Sequence, residues 1–188
     1  LLKDVIKHID IKSYNSTELV DAMRNMSFTS RDTARAADIL MMMCKEKECT
    51  NILTLAGSTS AAGCMQVYVD MVRNKMIDVV VATGASIIDM DLFEALGFKH
   101  YIGEKENVIP DTTLRDLYID RIYDTYIDEE ELQACDHTTF EIANMLEARP
   151  YSSREFIYEI GKWLHEGNAV KKDSLIQTCY ECGVPIFV

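Results

Sequence analysis

The sequence predicts an α/β fold: a parallel sheet with helices on both faces, cut short at its carboxyl end. Three stretches carry that expectation. Asp78 to Asp91 reads DVVVATGASIIDMD, in which Val79, Val80, Val81 and Ala82 form a short, fully apolar run of the kind buried in parallel sheets. Upstream, Ile52-Leu53-Thr54-Leu55-Ala56 leads into Gly57-Ser58-Thr59-Ser60-Ala61-Ala62-Gly63. Met65, Tyr68, Val69 and Val72 then repeat at helical spacing before Asp78 enters the next strand. The third stretch is Val184-Pro185-Ile186-Phe187-Val188, which reads as the opening of a further buried strand. Both strand-to-helix turns are built from small residues that let a ligand approach the backbone closely. In an open parallel sheet such turns lie beyond the carboxyl ends of the strands, where ligands bind. A polar ligand held by backbone amides and hydroxyls is the first functional expectation.

The remaining elements follow in order. Asn15-Ser16-Thr17-Glu18 resembles a capping box, opening a helix with Leu19, Ala22, Met23 and Met26 on one face. Phe28 to Asp32 forms a second cap, and the helix after it carries Ala37, Leu40, Met41 and Cys44. Met41-Met42-Met43 reads as core filler on an apolar face. Leu92 to Leu96 predicts a short helix closed by Gly97. Residues 99–127 contain Gly103, Pro110 and several aspartates, and Leu117 to Asp124 alternates as a strand or a pinned loop. Asp128 to Glu131 is a candidate cap with an exposed acidic start. Thr138/Glu141 and Ser152/Glu155 each match the capping-box spacing, the second followed by Phe156, Ile160, Trp163 and Leu164. Gly167 ends that helix, with Trp163 expected to pack in the core. Asp173 opens the next helix and Gly183 closes it.

Composition narrows the function. The 188 residues suit one domain spanning 1–188, with 48% apolar residues for its core. A net charge of −12 argues against nucleic acid, whose phosphates attract Lys and Arg. There is no apolar run of about 18 residues to cross a membrane and no signal-like start, so a cytoplasmic location is expected. Cys44, Cys49, Cys64, Cys135, Cys179 and Cys182 are spaced irregularly, as reduced thiols are. Cys179-Tyr180-Glu181-Cys182 is a solitary CxxC near a helix end, a weak metal signal. His8, His100, His137 and His165 show no metal spacing, and each reads as a surface or packing residue.

Taken together, GSTSAAG, VVVATGASIIDMDLFEALGFKHY, LYIDRIYDTYID and RPYSSREF resemble the deoxyhypusine synthase family, most closely its prokaryotic, synthase-like branch. The resemblance runs over essentially the whole chain. It implies a Rossmann-like domain that binds NAD, and an enzyme acting on spermidine or a related polyamine. Family members oxidise spermidine, hold its aminobutyl group on an active-site lysine as an imine, and pass it on. The acceptor is a lysine of the hypusine-bearing translation factor precursor or, in related enzymes, a small amine. NAD is reduced and reoxidised within the cycle. The family is typically homotetrameric, with active sites at subunit interfaces. A non-catalytic module that binds nucleotide or pairs with an active subunit is the alternative.

The family's first NAD-contacting turn falls on Gly57, Ser58, Thr59, Ser60 and Ala61. The second falls on Thr83, Gly84 and Ala85, and a carboxylate that meets the cofactor ribose falls on Asp89. Hydroxyls and amides suit phosphate, and a carboxylate suits ribose hydroxyls. Asp91, two residues on, reads as a solvated helix start. Two positions depart from the family: a turn asparagine is Ser58, and an acid that helps hold spermidine is Ile88. The family's catalytic lysine and histidine, with most of its spermidine-binding acids, follow the VPIF strand. Lys99, Lys105 and Lys162 lie outside the family's lysine motif. No catalytic residue is therefore assigned within these 188 residues, and the isolated chain is expected to lack transferase activity.

Overall fold

A computed structural model describes residues 1–104 and 109–188; Lys105, one of the lysines set aside above, lies outside the described residues. Strands β1 (Ile52–Leu55), β2 (Val79–Ala82) and β6 (Ile186–Phe187) form a parallel sheet in the order β1-β2-β6. Leu53 is in register with Val80, and Val80 with Ile186. All three predicted strands are present: β2 coincides with the Val79–Ala82 run, β1 stops at Leu55, one residue short, and β6 is confined to Ile186–Phe187. The crossover from β1 to β2 runs through a wide helical turn, Ser60–Cys64, into α3 (Met65–Arg73). Met65, Val69 and Val72 on α3 are buried, as their spacing predicts.

The sheet departs from expectation in being covered on one face. Leu55, Val80 and Ile186 share a core with Val69, Val72, Ile157, Ile160, Ile176 and Cys179. Residues of the opposite face, Ile52, Thr54, Val81 and Phe187, are exposed among the described residues. Alternation along a strand sends neighbours to opposite faces, so an unbroken apolar run does not by itself show that both are packed.

A second, antiparallel sheet has the order β3-β5-β4, with β3 at Tyr101–Ile102, β4 at Ile119–Ile122 and β5 at Thr125–Asp128. The alternating stretch from Leu117 is thus the first arm of a hairpin turning at Tyr123-Asp124, and it follows α5 (Asp111–Asp116). Leu114, Ile119 and Tyr126 form its own small core. Gly103 is required there, because a Cβ at that position would meet the Tyr126 ring at 2.9 Å. The amino-terminal arm joins this sheet through a bridge from Val5 to Tyr101.

Helix starts show where local chemistry suffices and where it does not. Ser152 caps α7 (Ser153–Trp163) in the predicted box with Glu155. Asp128 caps α6 (Glu129–Met145) by accepting from Glu130 N and Glu131 N. Thr138, by contrast, lies inside α6 and donates to the Ala134 carbonyl, so the Thr138/Glu141 spacing marks no helix start. Before α1 (Thr17–Met23) it is Asn15, not Ser16, that accepts from Thr17 N. Ser174 caps α8 (Leu175–Cys182) in place of Asp173. Gly167 and Gly183 sit at positive φ at their helix ends as expected. Helix α2 (Phe28–Lys45) buries only Ala34 fully, and Met41 and Met42 are 55% and 61% exposed, which overturns the reading of the methionines as core filler. Trp163 packs against the core, partly buried. No described helix is long and apolar enough to cross a membrane.

Candidate functional site

The carboxyl ends of β1 and β2 lie side by side because the pairing is parallel and in register, Leu55 against Ala82. This brings the turn after Leu55 next to the turn after Ala82. Gly57 takes φ +68°, a conformation open to glycine at no steric cost, and a Cβ there would meet nothing within 4 Å. The two turns are tied together by Ser86, whose Oγ donates to the Gly57 carbonyl at 3.0 Å. That buried serine was not singled out in the sequence. Its neighbour in the network is Thr83, with Oγ1 3.0 Å from Ser86 Oγ and 3.3 Å from Ser86 N.

Proton accounting assigns these hydroxyls. Ser86 has one O–H, directed to Gly57, so Thr83 must be the donor in the Thr83–Ser86 contact. The Thr83 hydroxyl is then committed, and any anion at this turn would depend on backbone amides. Thr59 is the opposite case. Its Oγ1 accepts from the Tyr68 hydroxyl at 2.9 Å, leaving its own proton free to donate outward, and its side chain is exposed. Ser58 and Gly84 are half-buried and Ala85 is exposed, whereas Ser60 and Ala61 are buried behind the turn.

Asp89 lies on the wide helical turn Ala85–Leu92 that follows, half-buried. Burial first, then the like charge of Asp136, raises its pKa above the usual carboxylate value. A carboxylate in that state gains from hydroxyl donors brought by a ligand. Ile88 is half-buried beside it, and its carbonyl accepts from the Cys135 thiol at 3.5 Å. Burial, reinforced by Asp136 and Asp89, pushes that thiol up to about 12, which makes it inert at neutral pH.

Asp91 is not a solvated helix start. It is 1% exposed, and its two carboxylate oxygens accept from Leu175 N and Ile176 N, each at 2.7 Å. It therefore caps α8 from 84 residues away. Burial pushes its pKa up to about 6, against the opposing pull of the two backbone amides. The sign follows from proton binding: the native state holds this proton more tightly than the unfolded chain, so ionisation costs stability as pH rises from about 4 to about 6. Relative to an Asp91→Asn variant, the parent should lose about 3 kcal/mol across that interval. Urea melts of both proteins at pH 4, 5, 6 and 7 measure the difference. Parallel curves would rule out the assigned shift.

Below the turns lies a polar cluster that sequence spacing does not reveal. Glu94, on the short helix α4 (Phe93–Ala95), is buried and meets His8 Nε2 at 2.6 Å, His100 Nδ1 at 2.9 Å and Lys171 Nζ. Burial would raise the Glu94 pKa, but these hydrogen bonds outweigh it and hold the group well below the usual carboxylate range. His100 packs on Phe93 with ring centroids 5.0 Å apart. It was expected to be a surface or packing residue, as was His8; both also bond a buried carboxylate. His137 and His165 are exposed. Cys179 is buried and Cys182 exposed, and no described group of three or more His, Cys, Asp or Glu could hold a metal ion.

A family model described as deoxyhypusine synthase matches residues 18–188. A deoxyhypusine synthase-like protein of Caulobacter vibrioides is 68% identical over 187 residues, covering 100% of this chain and 50% of that protein. One of Coxiella burnetii (strain Dugway 5J108-111) is 59% identical over 187 residues, with 53% of that protein covered. The chain thus spans about half the length of the curated relatives it matches. A crystal structure of an Entamoeba histolytica protein named for this synthase superposes with a TM-score of 0.58 at 20% identity, covering 97% of this chain and 61% of that one; it supports the fold alone. With the family model spanning all but the first 17 residues and a relative two-thirds identical along the whole length, the chain belongs to the deoxyhypusine synthase family.

Proposed function

We propose that residues 1–188 form a single NAD-binding domain of a deoxyhypusine synthase-like transferase. The whole protein would take an aminobutyl group from spermidine and transfer it to a lysine of the hypusine-bearing translation factor precursor. It would work as a homo-oligomer, tetrameric by family resemblance, in the cytoplasm. The observation that carries the cofactor reading is the pair of turns joined by Ser86 and Gly57, with the half-buried Asp89 beside them. When bound, NAD supplies a hydride acceptor for oxidation of the amine.

The residues present fit such a group. Gly57 and Gly84 leave the backbone open, Ser58 and Thr59 present hydroxyls, and Asp89 would accept from ribose hydroxyls. Thr83 contributes by fixing Ser86. Ser60 and Ala61 shape the turn from behind, and Ala85 lines it.

The test is calorimetric titration of NAD in the full-length protein. Losing a charged acceptor costs about 1.5–3 kcal/mol, so Asp89→Ala should weaken NAD roughly ten- to a hundredfold. Thr59→Val, which removes a neutral hydrogen bond, should weaken it by about tenfold or less. If Asp89→Ala binds NAD as the parent does, the cofactor assignment is wrong.

A further inference from the structure

The two turns are joined at the front by Ser86, and a second tie behind them runs through the amino-terminal arm. Ile6 N donates to the His100 carbonyl at 2.9 Å and Ile9 N to the Gly63 carbonyl at 3.0 Å. The arm lies so close to the first turn that a Cβ on Gly63 would meet the Lys7 carbonyl oxygen at 3.0 Å. Gly63 itself takes φ +95°, the bend where the wide turn Ser60–Cys64 passes into α3. Between these two backbone contacts sits His8.

The proton on His8 is assigned by its partners. Met65 N, the first amide of α3, can only donate, and it points at His8 Nδ1 from 3.2 Å. Nδ1 therefore carries a lone pair, and the ring proton is on Nε2, which donates to Glu94 at 2.6 Å. Met65 begins the helix after the first turn, and Glu94 lies on the helical run that follows the second. One imidazole thus spans the two segments from behind. Glu94 is held in turn by His100 and Lys171, while Lys12, further along the arm, pairs with the buried Asp70 of α3 at 2.6 Å.

We propose that His8 is a positioning residue for the candidate cofactor turns: its Nδ1 lone pair fixes the start of α3, and its Nε2–H fixes the distance to Glu94. The inference rests on the NAD reading only for its effect on affinity; the tie itself stands on the geometry. The arm lies largely outside the stretch that the family model matches, residues 18–188. His8 acts here through Met65 N and Glu94, not by a contact of its own with the cofactor.

The acceptor role makes a distinctive demand. Asparagine places an amide oxygen near the Nδ1 position and so keeps the acceptor for Met65 N, but its amide nitrogen falls near Cδ2 and stops short of Glu94; alanine supplies neither contact. In the full-length protein, His8→Ala should raise amide hydrogen exchange of residues 57–66 at least tenfold, while exchange in α7 (Ser153–Trp163), which makes no described hydrogen bond to the arm, stays as in the parent. NAD should bind at least fivefold more weakly to it. His8→Asn, which keeps the acceptor for Met65 N, should restore exchange at 57–66 to within threefold of the parent. The proposal is overturned if His8→Ala leaves exchange at 57–66 unchanged. It is equally overturned if the alanine and asparagine variants show the same exchange at 57–66, or if exchange rises uniformly along the chain. A parent protein that fails to bind NAD would defeat the cofactor reading, and the exchange data would still decide the role of His8.

Discussion

Asp91→Ala is expected to destabilise the protein by about 2–4 kcal/mol while leaving the candidate cofactor turns chemically intact. The side chain accepts from two buried amides at the start of α8, and alanine would leave both without a partner. Hydrogen bonds to a charged acceptor are the stronger kind, and the site is too closed for water to replace the carboxylate freely. For a chain of this size the loss corresponds to a fall in melting temperature of roughly 5–15 °C. Asp91→Asn should fall less, since its amide oxygen still accepts one of the two bonds. Differential scanning calorimetry of the three proteins gives the ranking. An alanine variant that melts within about 2 °C of the parent would show that α8 is held by its packing alone.

Glu94→Ala should produce a comparable loss, about 3 kcal/mol, for a different reason. Removing this carboxylate leaves three donors, His8 Nε2, His100 Nδ1 and Lys171 Nζ, converging on a cavity. Lys171, with a side chain 37% exposed, can swing towards water, which keeps the cost below that of a fully enclosed ion. A double-mutant cycle with Lys171→Ala isolates the pair: the double variant should be less destabilised than the sum of the singles. Strict additivity in urea melts would mean that lysine and carboxylate act independently.

Several features were legible in the chain itself. The strands at Ile52, Val79 and Ile186 announce themselves as short apolar runs, and Ser152/Glu155 forms the box that its spacing predicts. The small-residue turns at Gly57 and Thr83 were visible as breaks after strands. Such signals are local, because propensity, capping and glycine conformations depend on a few consecutive residues. The family resemblance then implied a cofactor role for those turns that spacing alone did not suggest.

What tertiary structure decided was the partner of each polar side chain. Asp89 and Asp91 differ by two positions in the same acidic, apolar-flanked run. Yet Asp89 stays half-buried beside Asp136, while Asp91 is enclosed and bonded to amides 84 and 85 residues away. The hydroxyls of Thr59 and Thr83 look alike in sequence, and only Tyr68 and Ser86 determine which keeps a free proton. His8, unremarkable in a mixed amino-terminal stretch, meets a carboxylate 86 residues on. Sequence by itself determined where the backbone must bend and which apolar runs form the parallel strands, since those follow from steric limits and apolar patterning. It could not determine which buried donors find which acceptors, because that depends on distances set only when the sheets and helices close around them.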